Sequence, residues 1–119
     1  MHDDLEILDM RVIATLKELG GDDEPDLVIE LIGLFLQDAP LRMKEIESSL
    51  QSGDIALLER AAHTLKSSSA NIGAARLSAS CKSMEELARR KSVEGLPSLV
   101  RDSLKRWNEL EAVLRDLRP

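Results

Sequence analysis

Residues 54–74 read DIALLERAAHTLKSSSANIGA, a stretch with the pattern of one amphipathic helix. Asp54 can cap the first exposed N–H groups of that helix, and the next helix begins near Gly73. At about 100° per residue, the small and apolar side chains fall within about 60° of a single direction. These side chains are Leu58, Ala61, Ala62, Leu65, Ser69 and Ile72. The stretch therefore predicts a helix, here helix C, that packs one face against other helices.

Two helices, A and B, are predicted before this stretch, because apolar residues recur there at helical spacing. Helix A stops at Gly20-Gly21, a C-terminal glycine signal. Helix B runs from about 25 to 51, after a start signal of acidic residues and proline at 22–25. Residues 27–36 are apolar nearly all round, which is typical of a helix buried between several others. The repeating apolar residues are Leu8, Val12, Leu16 and Leu19 in helix A, and the inward side chains of helix B are Leu27, Leu31, Leu34, Phe35, Met43, Ile46 and Leu50.

Two further helices, D and E, complete the predicted fold. Helix D begins near Gly73 and ends near Lys91, and helix E follows a loop that contains Gly95 and Pro97. The joints are only a few residues long, so successive helices should run antiparallel. The inward residues are Leu77, Cys81, Met84 and Ala88 in helix D, and Val100, Leu104, Trp107, Leu110, Leu114 and Leu117 in helix E. The pattern predicts an all-α fold, an antiparallel up-and-down four-helix bundle of helices B to E with helix A covering one end, as a single domain over residues 1–119.

Composition excludes several other classes of protein. The chain has 119 residues with one Phe, one Trp, no Tyr, five Val and two Thr, so the residues that favour sheets are scarce. The single cysteine excludes an internal disulfide, and only two histidines accompany it, so a structural zinc site is not expected. No segment has the length of a membrane span or the pattern of a secretory signal. We therefore expect a reduced, cytoplasmic setting.

The net charge of -6 is unevenly distributed along the chain. Residues 1–59 carry a net charge of -11, residues 60–91 carry +5, and residues 92–119 are neutral. A nucleic-acid binder would be basic overall and would have aromatic side chains for stacking. We therefore expect no nucleic-acid or membrane contact, and a site in the basic stretch for one anionic group or an acidic protein surface.

His63 is the candidate for chemistry in that basic stretch. It lies about 140° from Leu58 around helix C, so its side chain should point to solvent. Lys66, one turn on, can reach an anion held at the imidazole. Ser67 and Ala70 share the outer face and keep its relief low, so another protein could approach closely. On spacing alone, an idle surface histidine remains the alternative.

The stretch resembles the signature of the histidine-containing phosphotransfer (HPt) domains of phosphorelays, His-x-x-Lys-Gly followed by small residues and a Gly-Ala turn. Ser67 stands where the family often has glycine, and it is still a small residue. The matching positions are His63, Lys66, Ser68, Gly73 and Ala74, and the likeness extends to Gly20-Gly21-Asp22, Phe35-Leu36-x-Asp38-x-Pro40 and Gly53-Asp54. The resemblance covers nearly the whole chain.

The resemblance implies a phosphocarrier. In this family the exposed histidine, here His63, accepts a phosphoryl group from the aspartyl phosphate of a receiver domain and passes it to another receiver. Neutral imidazole is itself a nucleophile, so no general base is required. Lys66 would supply charge compensation. A Gln or Glu of the next helix often contacts the imidazole in this family, and the matching position is Glu85, for which a plain surface glutamate is the alternative.

The partners implied are response-regulator receiver domains, for which the receiver of a hybrid sensor kinase is one candidate, and the domain itself should be a monomer. The resemblance leaves open that this chain is the cytoplasmic C-terminal domain of a membrane-bound sensor kinase. We expect the partner to dock on Ser67, Ala70 and Arg60. No cofactor is expected on this chain, because Mg²⁺ would come with the receiver. We expect no independent enzyme, since no glycine-rich nucleotide loop is present. The rival interpretation is a helical interaction module whose histidine is not phosphorylated.

Other candidate sites have simpler explanations. Cys81 falls on the inner stripe of helix D and should be a small buried apolar residue rather than a reactive thiol. Arg89-Arg90-Lys91 is the basic last turn of a helix, matched to its dipole. The acidic cluster Asp22-Asp23-Glu24 is a helix start rather than a metal site.

Overall fold

The structure, a computed structural model, describes residues 5–20 and 27–117, and every regular element in these ranges is helical. The predicted start signal of helix B at residues 22–25, together with Gly21 and His2, lies outside the described residues. The elements in chain order are α1 (Met10–Gly20), α2 (Leu27–Ser52), α3 (Ile55–Asn71), α4 (Ala75–Arg89), a 3-10 turn (Val93–Gly95) and α5 (Leu96–Leu117).

The joint between α2 and α3 follows directly from its sequence. Gly53 follows α2 with a φ of +80°, a left-handed conformation that glycine adopts without steric cost. Asp54 then caps α3, and its carboxylate accepts a hydrogen bond from the backbone N–H of Leu57 at 3.1 Å. Two residues thus reverse the chain, as the pattern predicts.

The four long helices form a bundle in which each packs on the next and α5 closes against α2. The α4–α5 contact includes a hydrogen bond between the buried hydroxyls of Ser80 and Ser103, at 2.6 Å. The α2–α5 contact includes Phe35 and Trp107, with ring centroids 5.9 Å apart and planes tilted by 58°. The predicted all-α, four-helix architecture is therefore confirmed.

The inner faces of α3 and α4 are those predicted, whereas those of α1, α2 and α5 differ in part. Every inward residue predicted in α3 and α4 is buried. Leu34 and Leu117 are predicted to face inward but are 62% and 38% exposed, and Leu19 of the α1 repeat is 74% exposed. The buried stripe of α2 includes Ile32, Phe35 and Met43, and Leu34 lies about 100° from Phe35, away from that stripe. A segment that is apolar on all sides does not identify by itself which face its neighbours will cover.

Helix α1 and the residues before it cover the end of the bundle where α3 turns into α4. The N–H of Asp9 donates to the carbonyl of Gly73 at 2.7 Å, and the N–H of Arg76 donates to the carbonyl of Glu6 at 3.2 Å. Gly73 has a φ of +85°. A Cβ atom there would lie 2.8 Å from the Asp9 carbonyl oxygen and 2.9 Å from the Val12 Cβ. The turn therefore needs glycine for its conformation and for the close approach of α1.

We predict that Gly73→Ala destabilises the fold more than Gly53→Ala, a matched control. Both glycines have a left-handed backbone conformation, so each substitution should cost about 1–2 kcal/mol in conformational strain. An alanine Cβ at Gly53 meets no atom within 4 Å, whereas at Gly73 it collides with α1, which should add roughly 1–3 kcal/mol. Urea unfolding followed by circular dichroism measures both free energies. Equal losses would show that α1 does not pack against this turn in solution.

Candidate functional site

His63 projects from the middle of α3, because the residues beside it anchor the opposite face of the helix in the core. Ala62 and Leu65 are fully buried, whereas the His63 side chain is 60% exposed. Arg60, Ser67 and Ala70 are exposed as well. At about 100° per residue, all three lie within about 60° of the histidine. The imidazole therefore stands on an open surface, as the sequence indicated.

Glu85 of α4 is buried beneath this histidine, with a side chain only 4% exposed. Its Oε2 lies 2.5 Å from His63 Nδ1, and its Oε1 lies 2.7 Å from Lys66 Nζ. A carboxylate can only accept hydrogen bonds, so the proton of a neutral His63 resides on Nδ1. The lone pair of Nε2 is left free to react. The sequence left open whether Glu85 is a surface residue, and the structure places it inside, in contact with the imidazole.

The charge of Glu85 is maintained by its partners. Burial acts to raise the pKa of its carboxyl group, but the hydrogen bonds from Lys66 and His63 and the charge of Lys66 outweigh burial and lower the pKa below its ordinary value of 4.5. Because the folded-state pKa is the lower one, this carboxylate stabilises the fold above about pH 4.5, and the contribution is lost as the pH falls through the folded-state pKa. At neutral pH the site therefore holds an ionised glutamate.

Lys66 is held against Glu85 and is not free in solvent. Its side chain is 28% exposed, and its ammonium group donates to the carboxylate. The hydroxyl of Ser78 in α4 donates to the backbone carbonyl of Lys66 at 3.1 Å. This second hydrogen bond also joins α4 to α3. The sequence predicted that Lys66 can reach an anion at the imidazole, and the anion that it reaches in the structure is Glu85.

Arg89 is a neighbour of the site that the sequence reasoning missed. The sequence alone indicates a basic last turn, and Arg89 does lie in the last turn of α4. Its Nη2 also lies 3.6 Å from Oε2 of Glu85, although its side chain is 64% exposed. The signal that could have identified it is the four-residue spacing from Glu85, which places two helical side chains on the same face.

A shallow groove continues the surface from Ala70 toward α1 and α4. Its volume is about 360 Å³, and its walls include Val12 of α1 together with Ala75 and Ala79 of α4. Ala70 lines the groove with a single methyl group, so no large side chain stands beside His63 on this side.

Cys81 lies in the core, as its place on the inner stripe of α4 predicts. Cys81 is fully buried, and its burial, reinforced by the charge of Glu85, raises the pKa of the thiol to about 12. Within residues 5–20 and 27–117, no group of three or more His, Cys, Asp or Glu residues could hold a metal ion. Among the helices described, none is long and apolar enough to cross a membrane.

Comparisons with known proteins identify a family that this chain matches. The model of the Hpt domain family matches residues 30–118. Histidine-containing phosphotransfer protein 2 of Arabidopsis thaliana is 29% identical over 105 residues, or 86% of this chain and 67% of that protein. Histidine-containing phosphotransfer protein 4 of the same plant is 33% identical over 82 residues, or 67% of this chain and 65% of that protein. The chain thus spans about two thirds of the length of these curated relatives.

A solved structure shares the whole architecture. The crystal structure of histidine-containing phosphotransfer protein B (HptB) from Pseudomonas aeruginosa PAO1 superposes with a TM-score of 0.86 and 32% sequence identity. The superposition covers 94% of each of the two chains. The similarity therefore includes the helices that carry His63 and Glu85.

We predict that Glu85→Ala changes the tautomer of the His63 imidazole. Without the carboxylate acceptor, the Nδ1–H form loses its hydrogen bond, so the fraction with the proton on Nε2 should rise severalfold. Long-range ¹H–¹⁵N correlation spectra at pH 8.5 distinguish the two tautomers. Glu86→Ala is the matched control, because Glu86 is the next residue and is exposed. An unchanged tautomer in Glu85→Ala would mean that the carboxylate does not orient the ring.

Proposed function

This chain belongs to the Hpt domain family, which performs histidine phosphotransfer in phosphorelay signalling, and from that premise we propose that His63 carries the phosphoryl group. The observation that supports this assignment is the hydrogen bond between His63 Nδ1 and Glu85. It leaves a nucleophilic Nε2 at an open surface, on a side chain that is 60% exposed. His2, the other histidine, lies outside the described residues.

In the proposed reaction, Nε2 of His63 attacks the phosphorus of a receiver aspartyl phosphate. The P–Nε2 bond forms as the P–O bond to the aspartate breaks, and the carboxylate returns to the receiver. The imidazole then carries a positive charge together with its Nδ1–H, and Glu85 faces that proton with a negative charge. The reverse sequence of bonds delivers the phosphoryl group to the next receiver.

Phosphoryl transfer of this kind needs alignment and charge neutralisation more than proton transfer. Lys66 is the cation proposed to compensate the phosphoryl charge, because it lies one helical turn from His63 on the same side. The receiver would supply the Mg²⁺ and the aspartate, so the proposal requires no cofactor on this chain. The domain acts as a phosphocarrier without a nucleotide site of its own.

Proteins of this family interact with receiver domains, and we place the docking surface of this chain around His63. Arg60, Ser67 and Ala70 surround the histidine on one exposed face. The net charge of +5 on residues 60–91 would attract the acidic pocket of a receiver, so association should be faster at low salt. The proposed unit is a monomer in the cytoplasm, and its receivers include that of a hybrid sensor kinase.

We predict that His63→Gln folds normally and accepts no phosphoryl group. The side chain is 60% exposed, and the amide of glutamine can also donate to Glu85, so the loss in the free energy of unfolding should stay below about 1.5 kcal/mol. Incubation with a ³²P-labelled receiver should place an acid-labile, base-stable label on the wild-type protein only. Label retained by the variant would show that His63 is not the acceptor, and absence of label from both proteins would favour an interaction module that is not phosphorylated.

We predict that Ala70→Trp blocks phosphotransfer by steric exclusion and leaves the fold intact. A large ring at this position would stand on the surface beside His63, at the edge of the groove, and would keep a receiver at a distance. Transfer from a receiver should slow by about tenfold or more, a barrier increase of about 1.4 kcal/mol. Ala112→Trp is the control, because it makes the same substitution at an exposed position of α5. Equal rates for the two variants would place the docking surface elsewhere.

A further inference from the structure

The carboxylate of Glu85 has two cationic side chains within ion-pair distance, and they differ in how firmly they are held. Lys66 is bound at 2.7 Å with a side chain 28% exposed. Arg89 lies 3.6 Å away with a side chain 64% exposed. Lys66 is thus the counter-ion of the resting site, and Arg89 is a second cation beside the same carboxylate.

Under the proposed function, Lys66 has two anionic groups to neutralise. While His63 is unmodified, Lys66 neutralises Glu85. A phosphoryl group on Nε2 is a second anion within reach of the same lysine. The carboxylate is almost fully buried, and a buried charge without a partner is strongly destabilising. The phosphorylated imidazole would face Oε2 of Glu85, but Oε1 would lose its hydrogen bond when Lys66 turns away. Lys66 therefore leaves this oxygen at least cost if another cationic donor takes its place.

We propose that Lys66 and Arg89 exchange as counter-ion of Glu85: when His63 is phosphorylated, Lys66 turns to the phosphoryl group and Arg89 closes on the carboxylate. This inference rests on the proposed function. Arg89 is thereby a positioning residue, which acts through Glu85 and does not contact the reacting atoms. It releases Lys66 for the phosphoryl group and keeps the hydrogen-bond acceptor of Nδ1 ionised.

The geometry allows this exchange without a change in the backbone. Glu85 and Arg89 are four residues apart on α4, so their side chains lie on the same face of one rigid helix. The guanidinium group presents five N–H donors and needs only a small displacement to hydrogen-bond a carboxylate from 3.6 Å. The exposed arginine side chain has room for that movement.

The first test uses the unphosphorylated protein and so does not depend on phosphotransfer. In this state Lys66 is the counter-ion, so Arg89→Ala should change the unfolding equilibrium constant by less than about twofold. In a Lys66→Ala background, Arg89 is the remaining permanently charged side chain at Glu85, beside the His63 imidazole. Adding Arg89→Ala there should raise the unfolding constant by about fivefold or more beyond the product of the two single effects.

Arg90→Ala in the Lys66→Ala background is the matched control, because Arg90 is equally basic and exposed but lies outside the ion pairs of Glu85. It should show no coupling to Lys66. Arg89→Lys should recover part of the coupling, since it retains the charge. Additive effects of Lys66→Ala and Arg89→Ala would overturn the proposal.

The second test observes the exchange itself. Phosphoramidate transfers its phosphoryl group to Nε2 of a histidine with loss of ammonia and needs no partner protein. In the wild type, phosphorylation should shift the ¹⁵N resonances of both Lys66 Nζ and the Arg89 guanidinium. In Arg89→Ala, Lys66 should stay on Glu85, so its shift should be lost and the rate of phosphorylation should fall by about threefold or more.

The outcomes separate this inference from the proposed function. The exchange would be overturned if Arg89→Ala were phosphorylated at the wild-type rate and its Lys66 Nζ resonance moved as far as in the wild type. His63 would still be the phosphorylated residue. If phosphoramidate and the receiver both failed to label the wild type, His63 would lose its proposed role. The unfolding constants of Lys66→Ala, Arg89→Ala and the double variant would then still decide whether Arg89 replaces Lys66 at Glu85. Non-additive effects would support that exchange, and additive effects would overturn it.

Discussion

The hydrogen-bonded ion pair between Glu85 and Lys66 is the constraint on which the site depends. A carboxylate with a side chain only 4% exposed must have its charge compensated within the protein. Lys66 meets this requirement from α3, and the same carboxylate holds His63 by Nδ1. One buried side chain of α4 therefore fixes the positions of two side chains of α3. The imidazole keeps a defined orientation even though it is largely surrounded by water.

The bundle supplies the rigidity that this arrangement needs. The inner face of α3 consists largely of small residues such as Ala61, Ala62 and Ser69, all of them buried, so α4 can approach closely. The turn at Gly73 and the segment before α1 then close that end of the helix pair through backbone hydrogen bonds. Because α3 and α4 are rigid and adjacent, a side chain on one can position a side chain on the other. The chemistry requires little more than this, since neutral imidazole is already a nucleophile.

Several features of the site could be predicted from the sequence, and others could not. The exposure of His63 follows from its angle around α3, and the burial of Cys81 follows from its place on the stripe of α4. The role of Lys66 was only half predicted, because spacing shows what a side chain can reach but not which anion is nearest. The local sequence places Arg89 at a helix end, and its four-residue spacing from Glu85 matters only because tertiary packing buries that glutamate.

The sequence by itself determined the all-α class, the helix order, the α2–α3 joint and the outward direction of His63. Each of these depends on neighbours within about one or two helical turns, which periodicity and capping residues specify directly. The tertiary structure decided that Leu34 is exposed and that Glu85 is inside. Burial of a residue depends on which other helix covers it, and contacts between helices join residues far apart in the chain. His63 and Glu85 are 22 positions apart, and only the packing of α3 against α4 brings them within a hydrogen bond.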